Sequence, residues 1–384
     1  MYQITTLNKI SPVGLANLTE QYIITDKAES ADGILVRSQD MHEMDFSDSL
    51  KAVARAGAGV NNIPLDRLAE KGVVVFNTPG ANANAVKELV LCGMFLAARN
   101  VPAALTWAAA LREDVSKAVE KGKSQFAGSE VLGKTLGVVG LGAIGRKVAA
   151  AANALGMKVL GYDPFFKADE TPADFTVYED LKEMLSQCDF VTLHLPANDG
   201  TKGMVNEEFI SAMKDGVILL NFSRDKLIKE DALLAALESG KVAQYVTDFP
   251  NDNMIERKNV VLLPHLGAST AEAEDNCATM AVMEIRDFFE NGNIINSVNF
   301  PKVDMGPLEK GTRLAFFVKD MENPVEEMLT VLSSADIHPK KIQAGMRKDG
   351  ITYVLAEVDT FDTDALLFSG EVGAKILRHE AITK

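Results

Sequence analysis

The stretch "LGVVGLGAIGRKVAAAANALG", residues 136–156, constrains this chain more than any other. An apolar run over 136–139 enters Gly140-x-Gly142-x-x-Gly145, and an Ala-rich segment leaves it. In a strand–turn–helix unit each glycine has a separate use. The first permits the tight turn, the second lets a pyrophosphate approach the backbone, and the third lets helix and strand pack closely. The helix start adds unpaired N–H groups and the positive end of its dipole. The motif therefore predicts a dinucleotide seated on Gly140, Gly142, Ala143, Ile144 and Gly145. The next apolar run, "MKVLGYD", ends in Asp163. A carboxylate there accepts hydrogen bonds from both ribose hydroxyls of NAD and repels the 2′-phosphate of NADP. Pro164-Phe165-Phe166 follow it with no arginine, so the expected cofactor is NAD.

The rest of the chain repeats this alternation. From Lys134, "KTLGVVGLG", "MKVLGYD", "DFVTLHLP", "GVILLNFS", "AQYVTDF" and "VVLLPH" are strand candidates with helical segments between them, enough for a complete doubly wound sheet. Before it, "GILVRS", "KAVARAG" and "VVVFNTP" alternate with segments such as "IPLDRLAEKG", which predicts a second parallel sheet. The segment "NANAVKELVLCGMFLAARN" is apolar at Val86, Leu89, Val90, Met94 and Ala97, the spacing of one packed helix face. A second long helix, opened by a cap at Ser269 or Thr270, runs through "TAEAEDNCATMAVMEIRDFFENG". After Pro301 and Gly306-Pro307 the texture changes. "RLAFFVKD", "PVEEMLTVLSSAD", "KKIQAGMRKDG", "ITYVLAEVD" and "TDALLFSGEVGAKILRH" read as β-α-β-β-α, with a final strand at "AITK" and a hairpin turn at Lys348-Asp349-Gly350. That is a ferredoxin-like order.

Ligands of doubly wound sheets bind outside the carboxyl ends of the strands. Three consecutive ends carry groups able to do chemistry: Ser223-Arg224, then Asp248 and Asp252, then His265. Oxidising an alcohol with NAD requires a base for the hydroxyl proton and a cation to hold an adjacent carboxylate. It also requires an acid to orient the imidazole and stabilise its charged form. Arginine, aspartate and histidine supply that set. Gly267 and Ala268, beyond the histidine, are small enough to leave room for a nicotinamide.

Composition excludes several other classes. The net charge of −15 argues against general binding to nucleic acid or to an anionic membrane. Cys92, Cys188 and Cys277 are odd in number, far apart and without metal-ligand spacing, which fits a reducing compartment and no metal. No apolar run approaches the roughly 18 residues of a membrane span, and the first residues lack a signal-peptide pattern. A soluble cytoplasmic protein acting on a small molecule is expected.

At family level the chain resembles the D-isomer-specific 2-hydroxyacid dehydrogenases, in particular those with a C-terminal ACT-type domain. The resemblance rests on "RSQ" at 37–39, "ARAGAGVNNI" at 54–63 and "FNTPGANANAVKELV" at 76–90. It continues through "GKTLGVVGLGAIG", "LHLPAN", "VILLNFSR", "VTDFPND" and "LLPHLGASTAEAEDN", in family order over nearly all of 33–300. It implies a flavodoxin-like substrate domain (1–90 and 270–303), a Rossmann NAD domain (91–269) and an ACT-like ferredoxin fold (308–384), with the active site in the cleft between the first two. It implies Arg224 as carboxylate clamp, His265 as acid–base and Asp248 as holder of the nicotinamide carboxamide. Pro196, Phe222 and Ser223 are further expected cofactor contacts. Arg37, Ser38, Gly59 and Val60 are expected to meet the substrate; Arg37 and Lys123 are the candidates for its phosphate, Lys123 reaching from a partner subunit or else being part of a solvated basic loop. A phosphorylated 2-hydroxy acid is the expected substrate and a homo-oligomer, dimer or tetramer, the expected assembly.

Two positions depart from the family. Its acid is usually Glu; here Asp252 aligns best, one methylene shorter, and Glu256 is the alternative partner for His265. Asp225 follows Arg224 where the family has Gly, which puts a negative charge beside the clamp. In the tail, Asn323-Pro324 is followed by Val325 instead of the family's Gly, so an effector site and a subunit-contact role both stand as readings. The competing functions are another 2-hydroxyacid dehydrogenase, such as a hydroxypyruvate or glyoxylate reductase, and a non-enzymatic nucleotide-sensing adaptor of the same fold.

Overall fold

The computed structural model describes residues 1–166, 175–359 and 370–384. The chain divides into two units, Met1–Asn82 with Glu274–Lys384, and Ala83–Ala273.

The first unit opens with β1 (Tyr2–Leu7), β2 (Tyr22–Ile24), β3 (Gly33–Val36), β4 (Ala52–Arg55) and β5 (Val74–Phe76). They form a parallel sheet in the order β2-β1-β3-β4-β5, the flavodoxin-like order. Alternation divides its side chains between two layers. Ile34, Val36, Val53 and Val75 pack with Phe46, Leu50 and Leu68. Leu35, Ala54, Val74 and Phe76 pack with Ala278, Val282, Ile285 and Phe289 of the helix Ala271–Asn291. Both faces being covered, β3 is buried at all four residues, as parallel strands usually are.

The second unit holds β6 (Thr135–Val139), β7 (Lys158–Tyr162), β8 (Thr176–Tyr178), β9 (Phe190–Leu193), β10 (Val217–Asn221), β11 (Val242–Thr247) and β12 (Val260–Leu262). All pairs are parallel, and the order β12-β11-β10-β9-β6-β7-β8 reverses direction between β6 and β9. That reversal is the switch point at which such sheets bind dinucleotides. The helix Ala83–Ala98 lies wholly in this unit, so the chain divides nearer 82 than 90. The reason is packing: Val86, Val90, Met94 and Ala97 share one core with Val138, Leu220, Phe222 and Val246. A Cβ at Gly93 would sit 2.7 Å from the Phe222 ring.

The tail returns to the first unit. β13 (Thr312–Val318), β14 (Lys341–Met346), β15 (Thr352–Val358) and β16 (Ile376–Thr383) form an antiparallel sheet in the order β14-β15-β13-β16, consistent with an ACT-like domain. Every residue of β13 is buried. Leu314, Phe316 and Val318 pack with Met328 and Leu332 of the helix Pro324–Ser334. Ala315 and Phe317, with Tyr353 and Leu355, join the same core as Phe76, Phe288 and Phe300. Residues 308–384 thus share a core with the first sheet instead of forming a separate body. The helix expected over 363–379 is helical only at Gly370–Lys375 within the described residues; 363–369 lie outside them. From Ile376 the chain is strand, because alternating exposure and pairing with β13 override the local helical pattern. Among the described residues no single helix is long and apolar enough to cross a membrane.

Candidate active site

The glycine turn has the geometry its sequence demands. Gly140 has φ +96°, and a Cβ there would meet the His194 carbonyl oxygen at 2.4 Å. A Cβ on Gly145 would lie 2.0 Å from the Gly140 carbonyl oxygen. Gly142, at the N-cap of the helix Ala143–Ala154, faces open space. Gly142 and Ala143 are exposed and Ile144 half-buried. At the end of β7, Asp163 accepts the Leu141 and Phe165 amides through its two oxygens, each at 2.9 Å. A rigid turn with free space above it and an anchored carboxylate beside it fits a dinucleotide with free ribose hydroxyls.

At the end of β10 the organiser is Asn221, buried, which sequence reasoning did not single out. Its Oδ1 accepts the Ser223 amide (3.1 Å) and the Arg224 amide (3.4 Å), and its Nδ2 donates to the Arg224 carbonyl (2.9 Å). This side-chain turn reverses the backbone after Phe222. Ser223 is buried and donates to the Leu193 carbonyl at 2.6 Å, joining β10 to β9; Pro196, farther along that loop, is exposed. Arg224 is left exposed, its guanidinium donating to the Ser223 carbonyl at 2.6 Å. Among the described residues it forms no ion pair, and Asp225 is not its partner.

Asp248, after β11, is only 1% exposed. Its Oδ2 accepts the Gly267 amide at 3.0 Å, and Oδ1 is buried with no partner among the described residues. An orphaned carboxylate oxygen is costly unless a donor arrives, and a carboxamide N–H₂ supplies one. Burial raises the carboxyl pKa, opposed by the Gly267 amide and by the charges of His265 and Arg224. All three strand-end groups therefore act on one another through Asp248. The Gly267 Cβ position lies 3.1 Å from Asp248 Oδ2, so a side chain there would crowd that contact. His265 follows β12 with its backbone amide on the Asp248 carbonyl (2.9 Å) and its ring against Phe249 (4.9 Å between centroids). Its φ is +50°, a left-handed conformation uncommon outside glycine and asparagine and found preferentially at functional sites.

Neither expected acid partner reaches this ring. Asp252 and Glu256 are exposed and, among the described residues, neither lies within 4.0 Å of His265. The loop that carries Asp252 is tied the other way, Asn251 and Asn253 both donating to Glu230. The charge of His265 is among those that lower the pKa of the buried Asp248 carboxyl. His194, at the end of β9, is a different case: burial pushes its pKa down to about 3 and its Nε2 lies 3.0 Å from the Thr192 hydroxyl. It stays neutral over any working pH.

The raised pKa of Asp248 makes a prediction. An acid harder to ionise when folded penalises the native state once pH exceeds its folded pKa, and the penalty fades as pH falls toward the ordinary value of 3.8. Asp248→Asn is expected to raise the thermal midpoint at pH 8, with the gain shrinking as pH falls toward 3.8. Thermal unfolding of both proteins across that range checks it; a gain that grows on acidification contradicts it.

The first unit has its own group of polar residues. Arg37 follows β3 and Arg55 ends β4, with Val36 and Arg55 in register. Arg55 donates through Nε to the Arg37 carbonyl at 3.0 Å. Gly57, φ +152°, leaves room for that guanidinium: a Cβ there would come 2.4 Å from an Arg55 terminal nitrogen. Asn8 holds the next turn by accepting the Ser38 and Gln39 amides at 3.0 and 2.7 Å. Gly59 and Val60 are half-buried in the following loop. Arg55 was readable as a charge ending an apolar run, the same signal that marks Arg224. Lys123 belongs to the other unit, is exposed and pairs with Glu120 at 2.6 Å.

Comparison with known proteins adds to this geometry. Residues 92–267 match the family described as D-isomer specific 2-hydroxyacid dehydrogenase, NAD binding domain. D-3-phosphoglycerate dehydrogenase of Methanocaldococcus jannaschii is 34% identical over 325 residues, covering 81% of this chain and 60% of that protein. The rat (Rattus norvegicus) enzyme of the same name is 36% identical over 297 residues, covering 74% of this chain and 53% of that protein. The chain thus spans a little over half the length of these relatives. Among solved structures, an NAD+-bound 3-phosphoglycerate dehydrogenase from Entamoeba histolytica superposes with a TM-score of 0.62 at 27% identity, covering 78% of this chain and 98% of that one.

Proposed function

The chain belongs to the D-isomer-specific 2-hydroxyacid dehydrogenase family, and from that premise we propose that it is an NAD-dependent dehydrogenase oxidising D-3-phosphoglycerate to 3-phosphohydroxypyruvate. One observation carries the reading. Arg224, Asp248 and His265 stand at three adjacent strand ends of the nucleotide unit, the first and last on either side of the buried Asp248 carboxyl, whose pKa the charges of both lower. His265 takes the C2 hydroxyl proton on a ring nitrogen in the oxidative direction and returns it in the reductive one. Arg224, which has no competing acid in the described structure, holds the substrate carboxylate. The Asp248 Oδ1 accepts from the nicotinamide carboxamide, and Asp163 from the adenosine ribose. Bound NAD supplies the hydride acceptor.

A homo-oligomer is part of this reading. The helix Val101–Ala110, "VPAALTWAAA", has no buried residue, and Leu105 is 63% exposed, an apolar surface suited to cover by a second subunit.

The experiment is a reductase assay following NADH loss with phosphohydroxypyruvate, hydroxypyruvate, glyoxylate and pyruvate. Phosphohydroxypyruvate is expected to have the highest kcat/KM by at least about tenfold, the worth of roughly one charge-assisted contact. Preference for an unphosphorylated acid would move the substrate and leave the family reading intact. NADH binding without turnover of any acid would favour the adaptor.

A further inference from the structure

Three buried polar side chains stand behind the Arg224 turn, all within the nucleotide unit. Asn221, at the end of β10, is in register with Thr247 at the end of β11, and Tyr245 lies two residues before Thr247 on the same face of that strand. None of the three is more than 3% exposed. The Asn221 carboxamide donates twice, to the Arg224 carbonyl at 2.9 Å and to the Tyr245 hydroxyl oxygen at 3.3 Å. That hydroxyl is in turn hydrogen-bonded with the Thr247 side chain. Thr247 Oγ1 accepts the Phe249 amide at 3.1 Å, and the Phe249 ring lies against His265. An unbroken run of contacts thus leads from the backbone of the clamp arginine to the ring beside the histidine. Burial pushes the Tyr245 pKa up to about 12, so the hydroxyl stays protonated and neutral at working pH.

We propose that Tyr245 is a positioning residue for the Arg224 clamp: its hydroxyl, anchored on Thr247, fixes the Asn221 carboxamide in the orientation that grips the Arg224 backbone at both its amide and its carbonyl. The proposal rests on the function given above and concerns the carboxylate end of that substrate. The physical argument is one of satisfied donors. Without the phenol oxygen one carboxamide N–H is left buried and unpaired, which costs more than the bond itself contributed. The carboxamide relieves that cost by turning, and any turn weakens its bonds to the Ser223 amide and to the Arg224 amide and carbonyl. Those bonds hold the backbone from which the exposed guanidinium extends. The guanidinium then loses its place while keeping its charge. A clamp that holds substrate and transition state alike is read in KM more than in kcat.

Tyr245→Phe, made in the full chain, removes the hydroxyl and keeps the ring in the core it shares with Leu219 and Leu237. KM for phosphohydroxypyruvate is expected to rise about fivefold, the worth of roughly one hydrogen bond, with a much smaller change in kcat. In hydrogen exchange followed by mass spectrometry, residues 222–225 are expected to exchange about five- to tenfold faster, while strands β6, β7 and β9 keep their rates. Adding Thr247→Val to Tyr245→Phe is expected to change residues 222–225 by less than about twofold more, because the path to them is already cut. A KM within twofold of the unchanged chain overturns the proposal, as does unaltered exchange at 222–225. So do a fall in kcat with KM unmoved, exchange that quickens equally over the whole sheet, or a second full step on adding Thr247→Val. Should the unchanged chain turn over none of the acids, the proposed function fails instead. Exchange at 222–225 then decides by itself whether Tyr245 holds the turn.

Discussion

His265→Asn is expected to lower turnover with phosphohydroxypyruvate by about 10³-fold while leaving NADH affinity within a few-fold, because general acid–base transfer contributes roughly 10²–10⁴. The choice of Asn matters. At φ +50° most side chains are strained, and Asn is among the few that adopt this conformation readily. The substitution therefore removes the imidazole without also breaking the backbone bonds from His265 to Asp248 and Leu263. Alanine at the same position would confound lost chemistry with lost geometry. Single-turnover measurements together with a fluorescence titration of NADH separate the two contributions. Retention of more than a tenth of normal turnover would remove His265 from the proposed chemistry. A loss confined to NADH affinity would mean that the residue shapes the cofactor site instead.

The largest stability effect is expected in the other unit, at Arg313. This side chain is 1% exposed, the bulkiest among the fully buried ones. Its guanidinium donates to the carbonyls of Asn291 (2.8 Å), Gly306 (2.6 Å) and Met305 (3.1 Å), and pairs with Glu357 at 2.8 Å. It therefore ties β13 to the segment 291–306 that connects the tail to the long helix. Arg313→Met preserves most of the apolar stem but takes the guanidinium from the Asn291 carbonyl and the Glu357 carboxylate, and leaves the Gly306 and Met305 carbonyls to Asn293 and Lys341 alone. Breaking a buried pair of this kind costs about 3–5 kcal/mol, and Glu357, which is 26% exposed, brings the expectation to the lower end. Against a typical total of about 5–15 kcal/mol that is a large share. Denaturant unfolding followed by circular dichroism measures it. A loss below about 1 kcal/mol would show that water replaces the guanidinium at little cost.

Much of this protein is legible in one dimension. The glycine spacing, the apolar run before it and the acid after the next strand are local features, and the turn they predict is the one observed at Gly140, Gly145 and Asp163. The six strand candidates from Lys134 onward all form strands of one parallel sheet, because buried parallel strands are continuous apolar runs with little else to resemble. Among the strands that escaped notice, β1 (Tyr2–Leu7) mixes apolar and polar residues without a clean period, and the others were short or borrowed their order from elsewhere. β2 and β8 have three residues each, too few for any period to register. The strand Ile376–Thr383 looks helical in isolation and is extended because β13 offers it a ladder.

The functional groups divide along the same line. Arg224, Asp248 and His265 could be picked out from sequence because each directly follows an apolar run, and strand ends of a doubly wound sheet converge by topology. Which way the Asp252 loop turns could not, because that depends on where a loop folds. Asn251 and Asn253 draw the Asp252 loop toward Glu230, while Asp248 is buried beneath the Gly267 turn. The pairing of Arg37 with Glu274 was equally out of reach, since the two are brought together only when the helix Ala271–Asn291 packs on the first sheet. Local spacing is enough to select backbone shapes and chemical types. Pairwise electrostatics depends on distances of a few ångströms between groups far apart in the chain, and only the packed tertiary structure sets those distances.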